Sequence, residues 1–257
     1  MSNTRHRFPQ ERQQQMIDVI IERKRVGTAE LAELLNISLP TVRRDLSVLE
    51  QTGIVTRTHG GVVARGAGQG DTEPLFLEKV RHFQNVKQRI GQKAADSLKD
   101  GQVVLLDSGT TALAIGRALA GRRVTIVTMD LKVAEAASIG PTEVHIVGGR
   151  VRNGYFSVVG NWAKDALKSI QADVCFLAAD ALDENGITTA TFDEAETKRL
   201  AISRAKRTVA ITDHSKFGKR AFAEVCGLDA IDELITDRGG QELVASYREM
   251  IPAITLV

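Results

Sequence analysis

Apolar positions follow two rhythms along the 257-residue chain: helical spacing up to about residue 50, and short continuous apolar runs alternating with amphipathic stretches beyond residue 100. In PQERQQQMIDVIIERKR, Met16, Ile17, Val19, Ile20 and Ile21 lie in a polar frame, which predicts a first helix with one broad buried face, ended by Gly27. Thr28 is the expected cap of a short second helix, AELAELL, with Leu31, Leu34 and Leu35 facing inward. After a tight turn at NIS, Ser38 is the expected N-cap of a third helix with Pro40 in its first turn, where a missing N–H costs nothing. Val42, Leu46 and Leu49, at i, i+4 and i+7, make its buried stripe. GIVTRTHGGVVAR then places two short β-branched runs around Gly60-Gly61, the pattern of a hairpin.

From Phe76 a helical pattern runs to about Leu98. Beyond it the runs VVLLD, VTIVT, EVHIV, VCFLAAD, TVAITD, ELITD and AITLV read as strands, and TALAIGRALA, NWAKDALKSI, DEAETKRLAISRA and QELVASYREM as helices between them. Nearly all-apolar strands alternating with helices predict an α/β domain with a largely parallel sheet covered on both faces. The glycine-rich polar stretch ARGAGQGDTEP separates the two rhythms. The expected division is a winged helix-turn-helix domain at 1–65, a linker at 66–75 and an α/β domain at 76–257.

Charge sharpens this division. Residues 1–65 carry 10 Lys and Arg against 7 Asp and Glu, whereas the remainder is close to neutral, within a total of +2. The excess is too small to establish nucleic-acid binding, so the placement of the charges decides. Two cysteines, Cys175 and Cys226, far apart and without metal-type spacing, fit a reducing compartment and buried thiols. The chain has neither an apolar N-terminal signal nor an apolar run long enough to span a bilayer, so a cytoplasmic protein without a membrane partner is expected.

In the third helix Leu39, Thr41, Arg43, Arg44 and Ser47 point away from the buried stripe or along its edges, concentrated in the half that a recognition helix presents to the major groove. Arginine there reads guanine in a bidentate way or grips a phosphate, and hydroxyls serve a base edge or the backbone. With Ser38 and Pro40 at the helix start, and Arg57, His59 and Gly60 on the wing, these are the candidate contacts to double-stranded operator DNA; Arg65 is also available for phosphates. The run RQQQMIDVIIERKRVGTAELAELLNISLPTVRRDLSVLEQTGIVTRTHGGVV resembles the DNA-binding domain of DeoR-type bacterial transcription repressors. It carries their T-x-R-R-D-L signature at Thr41, Arg43, Arg44, Asp45 and Leu46, and the H-G-G wing at His59, Gly60 and Gly61.

In a parallel α/β sheet, ligands bind outside the carboxyl ends of the strands. After VVLL come Asp107, Ser108, Gly109, Thr110 and Thr111 ahead of a helix, a combination of close backbone approach, hydroxyls and free N–H groups suited to an anion. Asp180 follows VCFLAA, and Asp213, His214, Ser215 and Lys216 follow TVAIT, while Lys198 lies on the first turns of the helix opened by DEAETKR. These groups at one rim favour a small, polar, phosphorylated ligand. LLDSGTTALAIGRAL, EAETKRLAI and DHSKFGKRAF extend the resemblance to the DeoR-type effector domain, which is similar in fold to ribose-5-phosphate isomerase. The resemblance implies a phosphorylated sugar or close relative as inducer, a homo-oligomer (dimer or tetramer), repression of a carbohydrate-catabolism operon, and neither cofactor nor metal. The chain departs from the family pattern at Ala178 and Ala181, where glycines are common, and at Thr128-Met129-Asp130 in place of T-N, changes expected to add bulk or charge at the pocket rim.

Other residues invite simpler readings. His145, inside VHIV, reads as a core histidine; Tyr155, Phe156 and Trp162 as packing or subunit-contact residues; Asp232 and Glu233 lack a histidine at metal spacing. The loop VGGRVRNG, with Arg150 and Arg152, either reaches the pocket or simply turns. The alternative to a repressor is a sugar-phosphate isomerase with an accessory DNA-binding domain, in which Asp180 and Lys198 would be the acid and base.

Overall fold

The computed structural model describes residues 9–23, 25–51, 55–58, 60–64 and 73–257. The chain divides into two compact units, Met1–Glu78 and Lys79–Val257. Among the described residues no helix is long and apolar enough to cross a membrane.

The first unit contains α1 (Pro9–Arg23), β1 (Arg25–Gly27), α2 (Thr28–Leu35), α3 (Leu39–Gln51), β2 (Val55–Thr58) and β3 (Gly61–Ala64). The first helix stops at Arg23 rather than at Gly27, because Arg25–Gly27 pairs antiparallel with β3 and turns the expected hairpin into a three-stranded sheet of order β1-β3-β2. Gly61 sits there because a Cβ would meet the Val26 carbonyl oxygen at 2.7 Å. Gly27, not Thr28, precedes the second helix as its cap, and the Glu30 carboxylate accepts the Gly27 N–H. Thr28 instead ties the helix to the wing: its N–H and hydroxyl both donate to the Gly60 carbonyl, at 3.1 and 3.3 Å. Met16, Ile17, Ile20, Leu31, Leu35, Val42, Leu46, Leu49, Val55 and Val62 form one core. Leu34 does not join it and is 46% exposed, since the i, i+4 pair Leu31 and Leu35 already defines the inner face of this two-turn helix. The Ile21 side chain, His59, Arg65 and the expected linker as far as residue 72 lie outside the described residues.

In chain order there follow α4 (Phe76–Arg81), α5 (Gln84–Asp96), β4 (Val103–Leu106), α6 (Thr110–Leu119), β5 (Thr125–Thr128), α7 (Leu131–Ala137), β6 (Glu143–Ile146), β7 (Arg150–Val151), β8 (Val158–Val159) and α8 (Asn161–Lys168). The chain continues through β9 (Val174–Ala178), β10 (Ala181–Asp183), β11 (Gly186–Thr189), α9 (Phe192–Ser203), β12 (Thr208–Ile211), β13 (Ala223–Cys226), β14 (Glu233–Thr236) and β15 (Ala253–Leu256). The single helix expected over 76–98 is two, separated at Phe83, whose φ of 56° breaks the helical path. QELVASYREM forms no α-helix; Leu243–Tyr247 is a 3₁₀ turn.

All seven runs read as strands enter one parallel sheet of order β15-β14-β12-β9-β4-β5-β6. Leu105, Val127 and Cys175 pack with Ala163 and Leu167 of α8 and Ala201 of α9. Val104, Leu106, Ile126 and Phe176, which alternate with them and therefore point to the other face, are equally buried, and α6 and α7 contact strands β4, β5, β6 and β9. His145 is exposed on the edge strand β6 beside Glu143, and so is not a core residue: an edge strand lacks the cover that buries the centre. Trp162 is 77% exposed and packs into no core. Cys175 is buried, Cys226 half-buried, and both are free thiols.

Candidate functional site

The first unit presents one polar surface of consequence. Ser38 begins α3, its hydroxyl accepting the Thr41 N–H at 3.4 Å and bonding the Thr41 hydroxyl at 2.8 Å. Leu39, Pro40, Arg43 and Arg44 are exposed, with Thr41 and Ser47 half-buried, as the helical pattern predicts. Neither Arg43 nor Arg44 has an ion-pair partner among the described residues. Arg57 on β2 donates to the Ser47 hydroxyl at 3.3 Å and so ties the wing to the helix, while Gly60, with φ of 81°, is the exposed wing tip.

Asp45, within the same run, does something different. It is buried, and its carboxylate accepts from Arg12 Nε at 2.5 Å and from the Gln13 amide at 3.2 Å. Asp45 thereby clamps α1 to α3, and its hydrogen bond and charge hold the Arg12 guanidinium more firmly protonated than usual despite burial. Arg12 belongs to the machinery of this surface only by orienting α3, and only a partner-seeking reading of the buried aspartate could have found it.

In the second unit the strand order places β4 next to both β5 and β9, so the chain leaves β4 toward one edge and returns toward the other. This is the switch point at which a crevice opens outside the carboxyl ends. Asp107 follows β4 there. It is fully buried, ion-paired to Lys198 and accepts the N–H groups of Ser108 at 2.7 Å and Ala178 at 2.9 Å. Lys198 also donates to the Ala178 carbonyl at 3.0 Å. Burial opposes its charge, but Asp107, Glu194 and Asp180 outweigh it and hold the ammonium protonated above the ordinary lysine range. Gly109, with φ of 102°, turns the chain into α6, where Thr110 and Thr111 are buried at the helix start.

Asp180 lies after β9, paired with Lys79 at 2.7 Å and accepting the Thr189 hydroxyl at 2.8 Å. Burial pushes its pKa up, but Lys79 and Lys198 prevail and hold it well below the usual carboxylate range. Asp213 accepts the N–H and hydroxyl of Ser215 and so shapes the turn that carries Lys216, while His214 bonds Asp237 at 2.7 Å.

Lys79 and Lys87, which the sequence pattern does not single out, join Lys216 on the cationic side. Lys87, buried on α5, donates to the carbonyls of Lys79 at 2.6 Å and His82 at 2.8 Å. Burial, reinforced by Lys216 and Lys79 against the opposing pull of Asp213, lowers its pKa to about 8. Lys216 is lowered by burial and by Lys79. Lys87 and Thr110 line the same narrow groove between α5 and α6. Three lysines close enough to weaken one another's protonation, beside a helix start carrying two threonines, can receive an anion: each added negative charge relieves that repulsion.

The rim departures lie deeper than expected. Met129, Asp130 and Ala181 are buried, and Ala178 contributes its backbone to the Asp107–Lys198 pair. Asp130 accepts the Gly109 N–H at 2.9 Å and those of Lys132 and Val133, capping α7; burial raises its pKa to about 6 against these hydrogen bonds. In the loop with Arg150 and Arg152, Arg152 pairs with buried Glu194 at 2.5 Å and stacks on Tyr155, whereas Arg150 pairs with Asp193 at the surface.

Comparison with known proteins agrees with this division. Residues 12–66 match the DeoR-like helix-turn-helix domain and residues 82–238 the DeoR C-terminal sensor domain. The HTH-type transcriptional regulator GolR of Listeria innocua is 34% identical over 233 residues, spanning 90% of this chain and 91% of that protein. The lactose phosphotransferase system repressor of Staphylococcus aureus is 29% identical over 249 residues, spanning 95% and 98%. Among solved structures, ribose 5-phosphate isomerase A of Methanocaldococcus jannaschii is similar at 18% identity and a TM-score of 0.39, over 52% of this chain and 55% of that one. A helix-turn-helix match over the first unit, a sensor-domain match over most of the second and a relative aligned along nine-tenths of the chain make this protein a member of the DeoR family of transcriptional regulators.

Proposed function

We propose that the chain is a repressor of a carbohydrate operon that binds operator DNA through α3 and the wing and is modulated by a small phosphorylated sugar or related metabolite at the switch-point crevice. The observation that supports the effector reading is that Lys79 and Lys216 both act on the charge of Lys87, and that Lys87 lies beside Thr110 at the start of α6, where an anionic group would meet cations and a helix N-terminus. Asp107, Ser108, Gly109, Thr111, Asp180, Lys198, Asp213, His214 and Ser215 complete this site as its walls and supports. Asp180 is engaged by Lys79 and held ionised far below neutrality, which makes it a poor proton acceptor and speaks against isomerase chemistry. One relative's name, lactose phosphotransferase system repressor, supports the carbohydrate assignment. The acting species is a cytoplasmic homo-oligomer of two or four chains, since one recognition helix reads a half-site.

The test is operator affinity with and without a panel of sugar phosphates, in wild type, Thr110→Asp and Arg44→Ala. Thr110→Asp sets a carboxylate against the effector's own charge and should bind operator normally without releasing it. Arg44→Ala should lose about 1–3 kcal/mol of operator affinity at any effector concentration. Effector-induced release retained in Thr110→Asp places the effector elsewhere; unchanged operator binding in Arg44→Ala removes that residue from the DNA surface.

A further inference from the structure

Among the described residues the three most exposed large apolar side chains are aromatic, and all three lie on or beside α8 and α9. Trp162 stands on the first turn of α8, and Phe192 opens α9. Phe222, just ahead of β13, packs edge-on against Phe192 with ring centroids 4.9 Å apart, yet the two remain 74% and 61% exposed. Apolar side chains scattered singly over a surface need no explanation. Three rings on one face do, in a chain with eight Phe, two Tyr and one Trp in all.

Helical period fixes where the rings stand. Ala163 and Leu167 are the buried side of α8, and Lys164 reaches α9 to pair with Glu196 at 2.9 Å, which puts Trp162 on the flank of α8 away from α9. On α9, Leu200 packs into the same core as Ala163 and Leu167. Phe192 and Arg199 reach the opposite side, toward Phe222 and the Glu224 carbonyl. Between the two flanks runs a shallow open groove lined by Asn161, Lys164, Asp165, Glu196, Arg199 and Ser203.

Charge decides what covers this face. Its cations and anions are interleaved: Arg150 with Asp193, Lys164 with Glu196, Lys168 with Asp165 and Arg220 with Glu224. A partner of one sign, such as nucleic acid or an anionic membrane, gains nothing from such a surface. A second copy of the same face does. A two-fold axis running along the groove lays α8 of each copy over α9 of the other, so that Trp162 meets the Phe192–Phe222 pair twice and the lysines of α8 meet Glu196. An enclosed aromatic side chain buries about 150–250 Å², so at their exposure these three have on the order of 300–500 Å² left to bury, about half of the roughly 800 Å² that each partner contributes to a standard interface.

We infer that the α8–α9 face is the surface by which two copies of this chain associate, with Trp162, Phe192 and Phe222 as its aromatic anchors. The inference rests on the chain acting as a homo-oligomer and adds the surface and its symmetry.

Trp162 is the only tryptophan of the chain, so its fluorescence reports on this face alone. Sedimentation of the full chain from nanomolar to micromolar concentration, with emission spectra of the same samples, tests the surface. Wild type should associate, and its emission should move to shorter wavelength over the same range as the indole leaves water. Trp162→Lys and Phe222→Lys, both at exposed positions, should each raise the dissociation constant of that step about thirtyfold or more. Phe222→Lys keeps the indole, and its emission should stay at long wavelength where that of wild type has moved. Ile139→Lys, exposed beyond α7 on the other side of the sheet, should associate as wild type does. Association as tight as wild type in either folded aromatic variant, an equal loss in Ile139→Lys, or an emission that does not move as the chain associates overturns the inference and leaves the homo-oligomer standing. A wild type that stays monomeric at micromolar concentration overturns the homo-oligomer reading itself, and this inference with it.

Discussion

Each unit of the molecule buries an aspartate against a cation, and the two pairs have opposite purposes. Asp45 lies inside the most recognisable DNA-binding run, yet it faces inward to Arg12 and touches nothing that DNA could reach. Asp107 lies in an ordinary acidic turn, yet its pair with Lys198 sits at the switch point, where it holds the end of β4 to β9 and α9. The reason is geometric. A recognition helix works with the residues it leaves uncovered, so a buried charge there can serve only to fix its angle. A ligand pocket works by enclosing its ligand, so its working charges are buried and must be paired to survive the loss of water.

The largest effect expected from this contrast is in the second unit. Lys198→Met removes the one cation that, among the described residues, is in contact with Asp107, which stays buried with the Ser108 and Ala178 N–H groups as remaining donors. Breaking such a pair from one side costs about 3–5 kcal/mol. Scanning calorimetry of the full chain should show the corresponding fall in the sensor-domain transition. A fall below about 1 kcal/mol would mean that the backbone amides alone sustain the carboxylate.

Arg12→Ala should cost less, about 2 kcal/mol, because Asp45 keeps the Gln13 amide and because the Arg12 side chain is 17% exposed, so part of its charge was never taken from water. Amide hydrogen exchange along α1 and α3 is the direct readout, and loosened protection should accompany weaker operator binding although Arg12 itself need touch no DNA. A variant that loses operator affinity with α3 protection intact would make Arg12 a DNA contact and erase the contrast.

How much of this was legible in the sequence follows the same division. The exposed half of α3 was readable because helical period fixes which side chains face outward, and all seven sheet strands were readable because a fully covered parallel sheet demands continuous apolar runs. Lys79 and Lys87 were not: they sit on what the periodicity reads as one continuous helix, and only the break at Phe83 lets the Lys87 ammonium fold back onto the carbonyls of Lys79 and His82. β1 was hidden because three residues carry no period, and because its reason for being extended, the wing strand β3, is more than thirty residues away in sequence. Glu194 was readable as a helical residue and no more, since its partner Arg152 comes from a hairpin whose closure nothing local dictates.

Asp130 sharpens the comparison with the smallest effect, because it is a third buried carboxylate and is satisfied by amides rather than by a paired cation. The Gly109, Lys132 and Val133 N–H groups bind it, but burial wins and raises its pKa from 3.8 to about 6. The folded state therefore holds a proton that the unfolded chain gives up. The stabilisation from this proton is fully present below the unfolded value of 3.8 and is lost as pH rises through about 6. A tenfold difference in proton affinity between folded and unfolded chain is worth about 1.4 kcal/mol, so the span is at most about 3 kcal/mol. Asp130→Asn does not titrate. Its amide nitrogen or its oxygen must face the Gly109 N–H or those of α7, so one hydrogen-bond set weakens by an amount that does not depend on pH. The stability of the variant relative to wild type should thus start negative near pH 4, climb through pH 6 and level off above it. Two stability curves that stay parallel from pH 4 to 7 would show that the Gly109, Lys132 and Val133 amides hold this carboxylate as well as a cation does, and the distinction between amide-held and cation-held carboxylates in this domain would fall.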